Sequence, residues 1–240
     1  MKRLHITVNG EAMECEGGTA ILALTGRGDA SGEPYVAAVY NNEVAGLGAA
    51  ATTDGVLDGV TAAEAHGWRV WQRSMGFLLA EAAAKCYPSS GFRLQHSMGT
   101  GLVFSFDRPP HEASSATAER LNTKMRHLVE ADLPIRSESM AYMEALRHFE
   151  AAGQTDKLNL LRHRNSPVLK LYACGDYYDL WQGALVPNTG LLGPFLVIPY
   201  EDAFVLHLPA PETAGKGLST LPPFVPQRHL FGVYREHARW

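Results

Sequence analysis

Between Tyr172 and Asn188 the chain gathers two carboxylates (Asp176 and Asp179), a thiol (Cys174), tyrosines, Trp181 and two side-chain amides. Carboxylates in such company can accept hydroxyl protons or hold cations, and an indole can stack on a flat ligand. The stretch follows an apolar run and ends in a Pro-Asn-Thr-Gly turn, which is how a pocket wall is often built. A tyrosine-rich strand end serves equally well as hydrogen-bonded framework, so both readings stand at this point. Three further groups could join the site. Arg73 lines up with Phe77 and Glu81 at four-residue steps on a helical stretch and so faces one cleft with them. His96 sits at a bend beside Gly99 and Gly101, with a titration range that suits a turn hydrogen bond or acid–base work. Lys157 lies in the first turn of a short helix, where a cation opposes the helix dipole and calls for a reason.

The elements that must position these groups are legible from periodicity. Leu4, Ile6 and Val8 alternate, Asn9-Gly10 supplies a tight turn, and 12–16 returns as a hairpin. A helix is expected over 19–25 with Thr19 as N-cap, then a glycine-rich loop, a strand over 35–40 and a turn at Asn41-Asn42. Over 63–86 the apolar period becomes helical, with Trp71, Met75, Leu78, Leu79, Ala82 and Cys86 on one stripe and Pro88 as terminator. Strands are expected at 92–95 and 102–106, helices near 117–130, 139–151 and from 155, with Met143, Leu146 and Phe149 inward in the second. A strand at 168–173 and a pair at 194–199 and 203–208 complete the order, before a proline-rich segment and an amphipathic helix over 229–239. The fold class is α+β: a small β-grasp, ubiquitin-like domain over 1–62, a larger α+β domain over 63–226, and a C-terminal helix over 227–240 leading out of it.

Composition narrows the function classes. A net charge of −4, from 21 basic and 25 acidic residues, offers no general field for a polyanion. Three cysteines without CxxC spacing fit reduced thiols and write no zinc site. The first residues alternate polar and apolar, so neither a signal peptide nor a membrane span is expected, and the protein is placed in the cytoplasm without a membrane partner. Gly26–Gly32 precedes a strand and Gly215-Lys216-Gly217 lacks a following Ser or Thr, so neither is a nucleotide loop. Cofactors are expected to be none.

The order of these pieces resembles the N-terminal half of bacterial threonyl-tRNA synthetases, a TGS domain followed by an editing domain. The likeness runs through Val39-Tyr-Asn-Asn-Glu-Val44, Arg73-Ser74, Thr100-Gly-Leu-Val-Phe104, Gly153-Gln-Thr-Asp-Lys-Leu158, Tyr178-Asp179 and Val186-Pro187. The resemblance implies a metal or hydrolytic site made of a His-x-x-x-His pair on the long helix and a Cys-x-x-x-His pair after the Tyr-x-Asp motif. Those positions are Arg73, Phe77, Trp181 and Leu185 here, and none offers a usable lone pair, so no metal is expected. Lys157 and Asp179 match residues of the family, while Phe104 replaces a tyrosine. A second resemblance, through His96-Ser97, Cys174-Gly-Asp176, Val186-Pro-Asn-Thr-Gly190 and Leu221-Pro-Pro-Phe-Val225, is to the region ahead of the kinase domain in bacterial uridine (nucleoside) kinases. The chain stops where that kinase would begin, and its phosphate loop is absent.

Together these point to a noncatalytic recognition or regulatory module with a ligand-binding cleft lined by Arg73, His96, Lys157, Asp176, Asp179 and Trp181. The expected partners are a nucleoside or nucleotide, an amino acid or a tRNA end, and a P-loop kinase domain or subunit. The competing reading is a metal-independent aminoacyl-tRNA deacylase in which Lys157, Asp179 or His96 positions water. The framework alternative is a buried bridge between Arg73 and Asp179.

Overall fold

The computed structural model describes residues 2–164, 166–211 and 221–226, with positions 229, 232, 233 and 236. The expected hairpin forms as β1 (Arg3–Val8) and β2 (Glu11–Glu16), turned by Asn9 at φ 48° and Gly10 at φ 88°. Positive φ at both positions is what a two-residue hairpin loop demands. Strands β3 (Tyr35–Tyr40), β4 (Glu43–Ala45) and β5 (Gly55–Thr61) complete a five-stranded sheet in the order β2-β1-β5-β3-β4. Strands β1 and β5 run parallel, and the other pairs are antiparallel. Leu4, Ile6, Val8, Ile21 and Leu57 form the buried cluster of this sheet. The helix expected from Thr19 begins later, as α1 (Ile21–Thr25) with Ala20 at its N-cap. Thr19 instead donates its hydroxyl to the Glu16 carbonyl at 2.7 Å, so the local turn wins over the cap.

The organising element is α2 (Ala65–Cys86), buried nearly all round. Tyr87 leaves helical geometry at φ −139°, ψ 59°, as a residue before Pro88 should. One side of α2 packs with α3 (Ser114–Glu130) on a four-stranded sheet of β11 (Leu196–Tyr200), β12 (Ala203–His207), β7 (Gly101–Phe106) and β6 (Phe92–Met98), in that order. The other side meets a three-stranded sheet, β10 (Tyr177–Asp179), β9 (Val168–Cys174) and β8 (Ile135–Ala141), through Tyr172, Cys174 and Tyr177. The far face of that small sheet is covered by α4 (Tyr142–Ala151) and α5 (Thr155–Leu161) around Phe149, Leu161, Leu169 and Leu171. The fold class is therefore α+β, with antiparallel sheets in the larger part.

Strand β8 corrects the helix expected from Ser139. Residues Ser139 to Ala141 pair with Lys170 to Val168, and α4 begins only at Tyr142. The shift rotates the inward face: Met143 is 62% exposed, while Ala145 and Phe149 are fully buried. Pairing with a neighbouring strand overrides local helical period at this junction. Residues 221–226 cross the outer face of the four-stranded sheet, where Phe224 packs on Tyr200 and His207. The helix expected over 229–239 lies largely outside the described residues.

Gly67 shows how tightly α2 is seated, since a Cβ there would run into the Thr61 carbonyl oxygen and press on Val36. Gly67→Ala is expected to lower stability by about 3 kcal/mol through overpacking, read as a reduced midpoint in chemical denaturation.

Candidate functional site

Strand β10 is three residues long, yet its alternation decides the site. Tyr177 and Asp179 point to the α2 side, and Tyr178 points to α4 and α5. Asp179, buried to 1% exposure, receives four donors. Lys157 Nζ stands 2.7 Å from Oδ1 and the Leu180 amide donates to the same oxygen at 2.6 Å. The Tyr177 hydroxyl donates to Oδ2 at 2.8 Å and the Trp181 indole Nε1 at 3.0 Å. Every lone-pair direction of the carboxylate is thereby engaged within the chain. Burial, then the adjoining Asp179 charge, pushes the Tyr177 phenol well above its usual pKa, which keeps it a donor. The ion pair also explains why a lysine stands in the first turn of α5.

Trp181, oriented by Asp179, meets Phe77 edge-on with ring centroids 6.0 Å apart, and Phe77 also contacts Tyr172 and Tyr177. Phe77 is fully buried, and a Cβ on Gly76 would stand 3.0 Å from the indole. Arg73 donates from Nη1 to the Ala184 carbonyl at 2.9 Å, and Leu185 beside it is buried. Ser74 Oγ accepts from the Val186 amide at 2.9 Å and donates to the Val70 carbonyl at 2.7 Å, fastening this segment to α2. So Arg73, Phe77, Trp181 and Leu185 do meet in space, and they meet as a plug. The cleft expected on this side of α2 is filled, because a phenyl ring and an indole occupy the space between helix and sheet. The expected alternative pairing of Arg73 with Asp179 is replaced by Lys157 with Asp179.

Two other candidate residues lie apart from that cluster. A bulge between Leu94 and His96 puts His96 opposite Val103, which belongs to the outer cluster of the four-stranded sheet with Met98 and Val205. His96 therefore shares the face turned away from α2, and partial burial lowers its pKa. Asp176 is largely exposed at the β9–β10 turn and pairs with Lys85 at 2.9 Å. Lys85 Nζ also lies 3.0 Å from Glu81, a fully buried carboxyl that makes no well-formed hydrogen bond. Burial raises the Glu81 pKa above its ordinary value, and it pushes the neighbouring Cys174 thiol to about 12. Among the described residues no group of three or more His, Cys, Asp or Glu could hold a metal.

Open space remains beyond the plug, toward the C-terminal end of α2. A cavity of about 90 Å³ is lined by Ala80, Ala84, Tyr87, Arg108, Gln154, Lys157 and Asp179, among others. Sequence reasoning named Lys157 and Asp179 and missed Tyr177, Gln154 and Arg108. Tyr177 had a readable signal, since residues two apart on a strand share a face. Gln154 and Arg108 had none, because their elements meet only in the folded chain.

No family model matches the chain. It is similar to "Threonine--tRNA ligase" of Syntrophotalea carbinolica, 28% identical over 183 residues, covering 75% of this chain and 28% of the relative. The enzyme of that name from Acidithiobacillus ferrooxidans is 33% identical over 138 residues, 57% of this chain and 21% of the relative. That from Aquifex aeolicus is 23% identical over 210 residues, 85% and 32% of the two chains. The chain thus contains a threonyl-tRNA synthetase-like region, and spans about a third or less of the length of these relatives. Their names lend no support to a kinase partner. Among the described residues, no helix is long and apolar enough to cross a membrane.

Two outcomes follow from these interactions. Asp179→Asn leaves the Lys157 ammonium with only the more exposed Asp156 carboxylate, 3.6 Å away, and is expected to cost about 3 kcal/mol, measured by urea denaturation. Glu81 has a folded pKa raised above its ordinary 4.5, so its contribution is fully present below that pH and is lost as pH rises through the folded value. Glu81→Gln should therefore flatten the decline of melting temperature on the alkaline side of pH 4.5, with wild type and variant compared across pH 4 to 9.

Proposed function

We propose that this chain is a noncatalytic recognition module derived from the threonyl-tRNA synthetase editing architecture, binding a small polar ligand or an RNA end without hydrolysing it. In this reading residues 1–62 form a TGS-like, β-grasp unit and 63–226 the editing-like unit. The observation that carries it is the plug. At the four positions where the resembled family would hold its metal or its catalytic imidazoles and thiol, a phenyl, an indole and an isobutyl group close the space, and a guanidinium is spent on the Ala184 carbonyl. Arginine cannot serve as a base near neutrality, and the other three have no lone pair to offer a proton or a metal. Asp179, which a hydrolase would need as an acceptor or water-orienting group, already has four donors.

The module reading keeps what remains open: the small cavity beside Lys157, with an apolar floor and polar end, is shaped for recognition of a compact ligand. In this reading the ligand is a nucleoside, a nucleotide, an amino acid or the terminal nucleotide of a tRNA, of which the 90 Å³ cavity would enclose only part. Arg73 and Trp181 lie outside the lining of the cavity, and Lys157 and Arg108 are the cations on it.

Incubation with seryl- or threonyl-esterified tRNA tests the reading. The expected result is loss of ester no faster than in buffer, together with a rise in melting temperature on addition of a bound ligand, as required when only the folded state binds. Ester loss that accelerates with the protein and disappears in His96→Ala or Asp179→Ala would establish a metal-independent deacylase instead.

A further inference from the structure

Among the described residues each of the three sheets ends in two edge strands, and all of these edges but one carry a feature that discourages another strand from adding to them. Strand β2 sets Glu11, Glu14 and Glu16 along its length, so a second β2 would meet it charge against charge. Strands β4 and β10 are only three residues long. Strand β6 is broken by the bulge between Leu94 and His96, and β11 contains Pro199, which has no amide to offer. The remaining edge, β8, has seven residues, no proline and no bulge in its ladder with β9.

Two hydrogen bonds at the ends of β8 show which way its backbone groups point. The Tyr142 amide donates to the Pro167 carbonyl at 3.0 Å, continuing the ladder with β9, whereas the Ile135 amide turns the other way and donates to the Pro187 carbonyl at 2.8 Å. Amides alternate in direction along a strand, so those of Arg136, Glu138 and Met140 face β9, and those of Ser137, Ser139 and Ala141 face outward. Among the described residues none of these three outward amides has an acceptor, and the Ser137 and Ser139 carbonyls beside them have no donor. All three residues are exposed. Before Ser137 the edge is already covered: the Thr189 amide donates to the Leu133 carbonyl at 2.9 Å, and Pro134 bridges to Asn188.

The free stretch is symmetric about Ser139. An antiparallel strand laid with its own Ser139 against this one sets Ser137 opposite Ala141 and Ala141 opposite Ser137, so the amides of Ser139 and Ala141 meet the carbonyls of Ser139 and Ser137. Side chains agree with that register. Ser137, Ser139 and Ala141 are small, and on the other face Glu138 stands opposite Met140 and Arg136 opposite Tyr142, with no like charges directly opposed. A register centred on Ser137 is closed by Pro187 to Thr189, and one centred on Glu138 would call on groups already bonded to β9. We propose that β8 is a strand-addition edge whose occupant is β8 of a second copy of this chain, paired antiparallel about Ser139 so that two three-stranded sheets become one. No residue of β8 lines the cavity beside Lys157, so the proposal is independent of the recognition reading.

Sedimentation velocity of the full 240-residue chain, over about 5 to 500 µM, tests it. A strand pair buries less surface than the roughly 1,200 Å² of stable interfaces, so a reversible dimer with a dissociation constant on the order of tens of micromolar is expected. Ser139→Pro removes the axial amide at an outward position, where an edge strand tolerates proline, and Ser139→Lys sets two ammonium groups opposite each other. Each is expected to weaken association about tenfold or more, while circular dichroism melting shows a folded monomer. Ser139→Glu alone should behave like Ser139→Lys. An equimolar mixture of the Ser139→Lys and Ser139→Glu chains should associate again, because only the position on the two-fold axis meets itself. Where Ser139→Pro does not fold, this charge pair decides. A chain that stays monomeric over the whole range, a dimer that survives Ser139→Lys, or a mixture of the two charge variants that stays monomeric overturns the proposal.

Discussion

The buried carboxylate of Asp179 is the point on which the larger part of the molecule turns. It joins a three-residue strand to α5 through Lys157, fixes the phenol of Tyr177, and aims the indole of Trp181 at Phe77. A charge this deep is tolerated only when it is paired and fully hydrogen-bonded, and here it is both. The same geometry has a chemical consequence. A carboxylate with all its acceptor sites taken is a framework group, so the position most suggestive of catalysis in the sequence is the one most completely absorbed into structure.

The plug follows from that anchor. Short side chains at positions 77 and 181 would leave a hole between helix and sheet, and holes in protein interiors are costly. Large aromatic side chains at 77 and 181 fill it, and Arg73 turns to the Ala184 carbonyl instead of seeking a buried counter-charge. The free volume is displaced along α2 to where alanines 80 and 84 leave room. The space between α2 and the small sheet is sealed, and a recess lies beside it.

Much of this was readable in one dimension. Alternation at Leu4, Ile6 and Val8, the Asn9-Gly10 turn, the stripe through Trp71 and Met75, and the strand ending at Cys174 all survive in the folded chain. The readings that failed share a cause. Local pattern puts Thr19 at a helix N-cap and starts a helix at Ser139, yet a side-chain turn and a strand partner take those residues instead. His96 was grouped with the site because it neighbours a glycine loop, whereas a one-residue bulge turns it to the opposite face.

The sequence by itself determined the α+β class, the likeness to threonyl-tRNA synthetase, and the absence of lone-pair donors at positions 73, 77, 181 and 185, because composition, period and residue type are local properties. Only the tertiary structure decided that Lys157 and not Arg73 is the partner of Asp179, that the cleft is filled, and that Gln154 and Arg108 line one cavity with Lys157. Those facts depend on which of several helices and sheets approach one another, and on side-chain volumes summed across them, which no window of the chain contains.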